Sequence, residues 1–256
     1  MVAGEGLPMP SARRAGGGRS FAPVGDAPPE RGERGRLPGV GALPQPGVAT
    51  LSELFAAGAR DGGATGFLLA ELERAVAARG GPLLWVQERM AIVEGGRIYP
   101  PGLGVAELIH VEAKDARAAL WAMEEGLRCA ALGGVIGELW GDPRALDFTA
   151  TRRLAVAAER SGVPAWLVRL GGTANLSGAR MRWRVASAPS GENLLDPRAP
   201  GAAAWDAELF RARGVAPGRW VVGDEGGEAD GGEADPVGVA AAAGDRAVDA
   251  GERKRA

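Results

Sequence analysis

Between residues 48 and 201 the chain alternates short apolar runs with stretches of helical period, and this alternation restricts the fold more than any other feature of the sequence. Leu83-Leu84-Trp85-Val86 reads as a buried strand ending at Gln87-Glu88. Residues 89–104 read as a loop, punctuated by Gly95-Gly96 and Pro100-Pro101. A second run covers about 107–112. Asp115 can cap a helix reaching about Ala131, with Leu120, Met123 and Leu127 on one face. Gly133-Gly134 ends it, and a strand from Val135 closes at Glu138-Leu139. A helix from about Asp147 to Arg160 stops at Gly162, with Pro164 beyond. Then come a strand over 165–170, a glycine-rich loop over 171–178 and an alternating strand over 181–186. Strands and helices at this spacing imply βαβ units, hence an α/β fold with a parallel sheet and helices on both faces.

The first connection of this series carries a motif. Gly58-Ala-Arg-Asp-Gly-Gly63-Ala-Thr-Gly66 has the frame of a phosphate-binding loop: glycine, four residues, glycine. Ala64 stands where that motif has lysine, and Thr65 where it has serine or threonine. An apolar segment (Leu51, Leu54, Phe55) precedes the loop, and Leu68, Leu72 and Val76 mark a helix after it, the strand–loop–helix setting the motif requires. Glycines of such a loop let backbone N–H groups surround phosphate without any side chain. The lysine supplies a unit charge, on the order of 4 kcal/mol at ~4 Å and an effective dielectric of ~20. Gly58, Gly63, Ala64 and Thr65 are therefore candidate nucleotide contacts in a degenerate loop, and a glycine-rich turn with no ligand is the plainer alternative.

Composition narrows the chemistry. Cys129 and His110 are the single cysteine and the single histidine, so neither an internal disulfide nor a His/Cys zinc site can be assembled. A Ser-His-Asp triad would need His110, which sits inside the apolar run 108–111 and reads as structural. Residues 1–47 hold six Arg against four acids, and 223–256 hold four bases against nine acids, leaving a near-neutral middle. Both ends are rich in Gly and Ala, the first also in Pro and Arg, and read as disordered. A near-neutral core argues against a chain that wraps nucleic acid electrostatically, while leaving room for a local basic face. No apolar run nears the ~20 residues of a membrane span and no signal-peptide core is present, so a cytoplasmic protein is expected.

Two surfaces invite partners. Arg180, Arg182 and Arg184 alternate with Met181, Trp183 and Val185, which on a strand puts three guanidiniums on one face. That face can meet DNA phosphates or an acidic partner, or it is simply solvated. Arg152, Arg153 and Arg160 lie on one helix and read as a solvated face, while Trp121 and Met123 read as core. The segment 202–222 carries Trp205, Leu209, Phe210 and Trp220 among arginines in a Gly/Pro-broken stretch. It either packs back on the domain or offers aromatic anchors to a partner.

The order of elements resembles a RecA-type core: strand, phosphate loop, helix, strand ending in an acid, then a strand in the Walker B position. In that resemblance Glu88 matches the acid that primes water, Glu138 stands where an Asp holds magnesium, and Arg169 replaces a polar sensor. Longer strings are similar to a narrower group. "GPLLWVQE", "GRIYPPGLG", "DARAALWAMEEGLR", "LDFTATRRLAVAAERSGVPAWLVR", "MRWRVASAPS", the loop "GARDGGATGF" and "GRWVV" resemble the ImuA family across about residues 50–222. The resemblance implies a RecA-like, non-polymerase accessory factor of SOS-induced mutagenesis and translesion synthesis. Its implied partners are ImuB, a degenerate Y-family polymerase homologue, an error-prone C-family polymerase subunit and RecA, with DNA a further candidate. Ala64 and Glu138 both depart from the pattern, which undermines hydrolysis, so no catalytic residues, no metal and no required cofactor are expected. The expected layout is a disordered 1–47, a RecA-like domain over 48–201, a partner-binding 202–222 and a disordered acidic 223–256. An ATP-dependent RecA-like DNA-binding enzyme and a SulA-like cell-division inhibitor are the alternatives.

Overall fold

A computed structural model describes residues 43–103, 107–191, 193, 195–196 and 198–223, and of residues 73–78 the backbone alone. Eight strands form one sheet: β1 (Leu51–Ala56), β2 (Leu83–Glu88), β3 (Leu108–Ala113), β4 (Gly134–Trp140), β5 (Ala165–Leu170), β6 (Met181–Ala188), β7 (Ala204–Ala212) and β8 (Gly218–Gly223). Their spatial order is β3-β2-β4-β5-β1-β6-β7-β8. β1 to β6 are mutually parallel, and β7 runs antiparallel to both its neighbours. The described residues include four α-helices: α1 (Gly63–Arg79), α2 (Arg89–Gly95), α3 (Ala116–Leu127) and α4 (Phe148–Ser161). This is the RecA-like α/β arrangement. Among the described residues no helix is long and apolar enough to cross a membrane.

Period-2 alternation sorts the strands between two cores. On one face Leu54, Trp85, Ile136, Val168 and Trp183 pack with Phe67, Leu68 and Leu72 of α1 and Ala91 of α2. On the other, Leu51, Leu84, Val135 and Leu167 pack with Met123 and Leu127 of α3 and Leu154 and Ala158 of α4. Helix ends follow the expected chemistry. Asp115 accepts from Ala118 N–H at 2.8 Å and Asp147 from Ala150 N–H at 2.7 Å. Gly162 ends α4 in the left-handed region at φ 72°, its N–H donating to Ala158 O.

Four expectations are corrected. Residues 89–95 are α2, not loop; its seven residues bury only Ala91, too little for a readable helical period. Residues 202–222 are not a segment apart from the sheet: they supply β7 and β8, with Trp205, Ala207 and Leu209 alternating inward. Packing begins before residue 48, since Leu43 is buried in the α1-side core. Met123 is core as expected, whereas Trp121 is 63% exposed. The expected disorder of the two ends falls, for 1–42 and 224–256, outside the described residues, as do the side chain of Val76 and residue Gly104.

Candidate functional site

The glycine-rich connection leaves β1 at Ala56 and enters α1 at Gly63. Asp61 closes a turn by donating its N–H to Gly58 O at 3.1 Å. Its carboxylate then turns onto the helix: Asp61 Oδ1 accepts from Gly63 N–H at 2.8 Å and from Ser187 Oγ at 3.1 Å. A Cβ on Gly63 would lie 2.8 Å from Ser187 N and 2.9 Å from that carboxylate, so only glycine fits. Ala64 is fully buried in the α1-side core, Thr65 is half-buried, and Gly58 faces open space. The first amide of α1 already carries an anion of the chain itself, and no lysine offsets its charge.

The two acids at the strand ends are not brought together. Glu88 is buried and accepts from Trp140 N–H at 3.0 Å, tying β2 to β4. Glu138 faces the α1 side, where Gln87 Nε2 donates to it at 2.6 Å. Strand alternation turns Glu88 toward the opposite face. Gln87 is fully engaged: its Nε2 also donates to Gly96 O at 3.1 Å, while its Oε1 accepts from Ile98 N–H at 3.1 Å. His110 Nε2 lies 3.0 Å from that same oxygen, so this ring nitrogen carries the proton. His110 thus braces edge strand β3; burial, then the nearby Arg97, lowers its pKa.

Two arginines are buried inside the fold among the described residues, Arg169 of β5 and Arg182 of β6. Arg182 is 3% exposed and donates from Nε to Glu53 Oε2 at 2.6 Å, with Glu53 itself fully buried in β1. Arg169, also fully buried, donates to Asp142 Oδ1 at 2.5 Å and lies 3.8 Å from Glu53 Oε1. Burial lowers its pKa, and Glu53 and Asp142 oppose that shift. The flanking arginines are partly exposed and paired: Arg180 Nε donates to Glu159 at 2.6 Å and Arg184 Nη1 to Glu208 at 3.2 Å. The alternation does place all three arginines on one face, but Arg182 is enclosed there and cannot reach a phosphate.

The four aromatic and aliphatic residues of 202–222 divide in the same way. Leu209 is fully buried, and Trp205, 6% exposed, meets Phe67 edge-on at 6.3 Å, so neither is a surface anchor. Trp220 is half-buried against Trp183. Phe210 is half-buried at a β-bulge, opposite the step from Arg182 to Trp183, with Arg184 4.0 Å from its ring centre. Arg219 holds Asp206 through both nitrogens of its fork. Arg211 and Arg213 remain exposed beside them. The missed element, Glu53, had one signal in the sequence: a lone acid inside the strand run Leu51-Ser52-Glu53-Leu54-Phe55-Ala56.

No family model matches the chain. Among curated proteins it is similar to Protein ImuA of Caulobacter vibrioides, in strain NA1000 / CB15N and in strain ATCC 19089 / CB 15. Each is 34% identical over 185 residues, which is 66% of this chain and 72% of the relative.

Glu138 generates a pH prediction. Burial raises its pKa and the Gln87 bond opposes the rise. Its contribution to stability is therefore full below the ordinary glutamate range and is lost as pH rises through the raised value. Glu138→Gln, which keeps a carbonyl for Gln87, should match the parent at low pH and exceed it above that window. Urea midpoints across a pH series check this; a constant offset at every pH would contradict it.

Proposed function

The chain belongs to the ImuA family, and on that premise we propose that it is a non-catalytic accessory factor of SOS-induced, error-prone translesion synthesis. It acts by binding an ImuB-like degenerate Y-family polymerase homologue, in an assembly that takes in an error-prone C-family polymerase subunit and RecA. The observation that carries the non-catalytic part is the Asp61 carboxylate on Gly63 N–H, beside a buried Ala64 in the lysine position. A phosphate brought to that amide would meet a like charge, and Ala64 supplies no cation from the lysine position.

Partner contact falls to exposed parts of β7 and β8. Among the described residues, Arg211 and Arg213 are exposed arginines there whose side chains the fold does not engage, and Arg211 directly follows half-buried Phe210. Arginine beside aromatic groups is the composition of interface hot spots, where one truncation typically costs ~2 kcal/mol or more. Arg211→Glu with Arg213→Glu should cut co-purification with the ImuB-like partner by at least about 30-fold in affinity, without moving the melting temperature. Undiminished capture by the double variant would remove this surface from the account. Failure of the parent chain to capture that partner would remove the function itself.

For nucleotide, the expected outcome is no steady-state ATP turnover above buffer. Ala64→Lys should not restore it, because the substitution places an ammonium in the core and leaves Asp61 on the helix amide. Turnover by the parent chain that disappears in Glu88→Gln would instead establish a working ATPase.

A further inference from the structure

Four exposed arginines without an acidic partner among the described residues collect along the seam between α3 and α4. α3 presents Arg117, Trp121, Glu124 and Arg128 as one stripe, at steps of four, three and four residues. α4 answers with Arg153, Val156 and Arg160, with Arg152 alongside, and Arg144 stands in the turn before it. Two adjoining depressions of about 620 and 400 Å³ follow the seam and share Glu124 and Arg153. From Arg117 to Arg128 the stripe runs about 16 Å at 1.5 Å per residue.

The charge balance is strongly positive. Six arginines line the two depressions against two acids, Glu124 and Asp147. Asp147 is committed to capping α4. Glu124 is shared between Arg153 and Arg128, and Arg128 also holds Glu125 at 2.9 Å. Arg117, Arg144, Arg152 and Arg160 are exposed and have no acidic partner among the described residues. This contrasts with β6, where all three arginines are paired. Trp121 stands in the middle of the stripe with 63% of its surface in solvent.

We propose that the α3–α4 seam binds single-stranded nucleic acid, the four unpaired arginines taking phosphates and Trp121 stacking on a base. A cationic groove interrupted by an exposed aromatic is the chemistry of sequence-independent single-strand binding. A duplex hides its base faces and leaves Trp121 without a stacking partner. An acidic peptide satisfies the arginines but likewise offers the indole no planar face.

The test uses the full chain and a fluorescent oligothymidylate of about 12 nucleotides, read by anisotropy, the footprint being of the size single-strand binders occupy. Binding should be indifferent to base sequence, with a log–log salt slope of about −3 for four phosphates at −0.7 each. Trp121→Ala should weaken it at least about 5-fold. Arg152→Ala with Arg160→Ala should bring the slope to about −1.4. Both variants change exposed side chains, and unaltered circular dichroism would confirm that each folds. Four results would overturn the proposal: no binding at low salt, equal or tighter binding of duplex, displacement by polyglutamate as readily as by unlabelled oligothymidylate, or unchanged affinity in both variants. An Arg180→Ala, Arg184→Ala variant that loses as much affinity would move the contact to β6 and overturn it too.

Discussion

Glu53 is the residue on which the centre of the sheet depends. It is a carboxylate with no solvent exposure, in the strand that joins the two halves of the sheet. An isolated charge there would be prohibitively costly, so the neighbouring strands must bring cations to it. β6 brings Arg182 and β5 brings Arg169, both over the Phe55 ring at 5.2 and 5.3 Å. The second arginine then needs its own counter-charge, which Asp142 supplies from the loop after β4. Asp142 in turn accepts from the backbone and hydroxyl of Thr173. One buried acid thus ties β1, β5 and β6 to two loops at the end of the sheet. Satisfaction is incomplete: Glu53 Oε1, Arg169 Nε and Nη1, and Arg182 Nη2 lack hydrogen-bond partners. A network of this kind specifies strand neighbours more than it stabilises them.

The same arrangement divides the arginines by task. Those of β5 and β6 neutralise acids of the fold, and a phosphate contact through Arg182 would require leaving Glu53 unpaired. Those of α3 and α4 exceed the local acids and are open to a ligand. The phosphate-type loop follows a parallel logic. Gly63 admits Asp61 and Ser187 close to α1, so the first helix amide holds an internal carboxylate.

Much of the fold was legible because it rests on local signals. The strand at 83–88, the caps Asp115 and Asp147 and the stop at Gly162 are written in residue types and spacing. β7 was harder, since its period-2 burial of Trp205, Ala207 and Leu209 lies between Gly/Pro breaks and beside arginines that suggest a surface. The inward alternation was present, but composition outweighed it. Site residues were least legible, because pairing is tertiary. Nothing adjacent to Arg182 in sequence reveals that Glu53, 129 residues away, encloses it. Likewise Trp121 in a run of Leu, Ala and Met reads as core until the packing of α3 turns it outward.

Arg182 is an internal counter-ion and not a surface contact. A double-mutant cycle with Glu53→Leu and Arg182→Met, read by urea denaturation, measures it directly. Each single change should be strongly destabilising, by about 3–5 kcal/mol: Glu53→Leu strands Arg182, and Arg182→Met leaves Glu53 with Arg169 alone, at 3.8 Å. The double variant should recover much of that loss, giving a coupling of at least about 1.5 kcal/mol. Single changes that are mild and add to within about 0.5 kcal/mol would contradict the claim and return Arg182 to the surface.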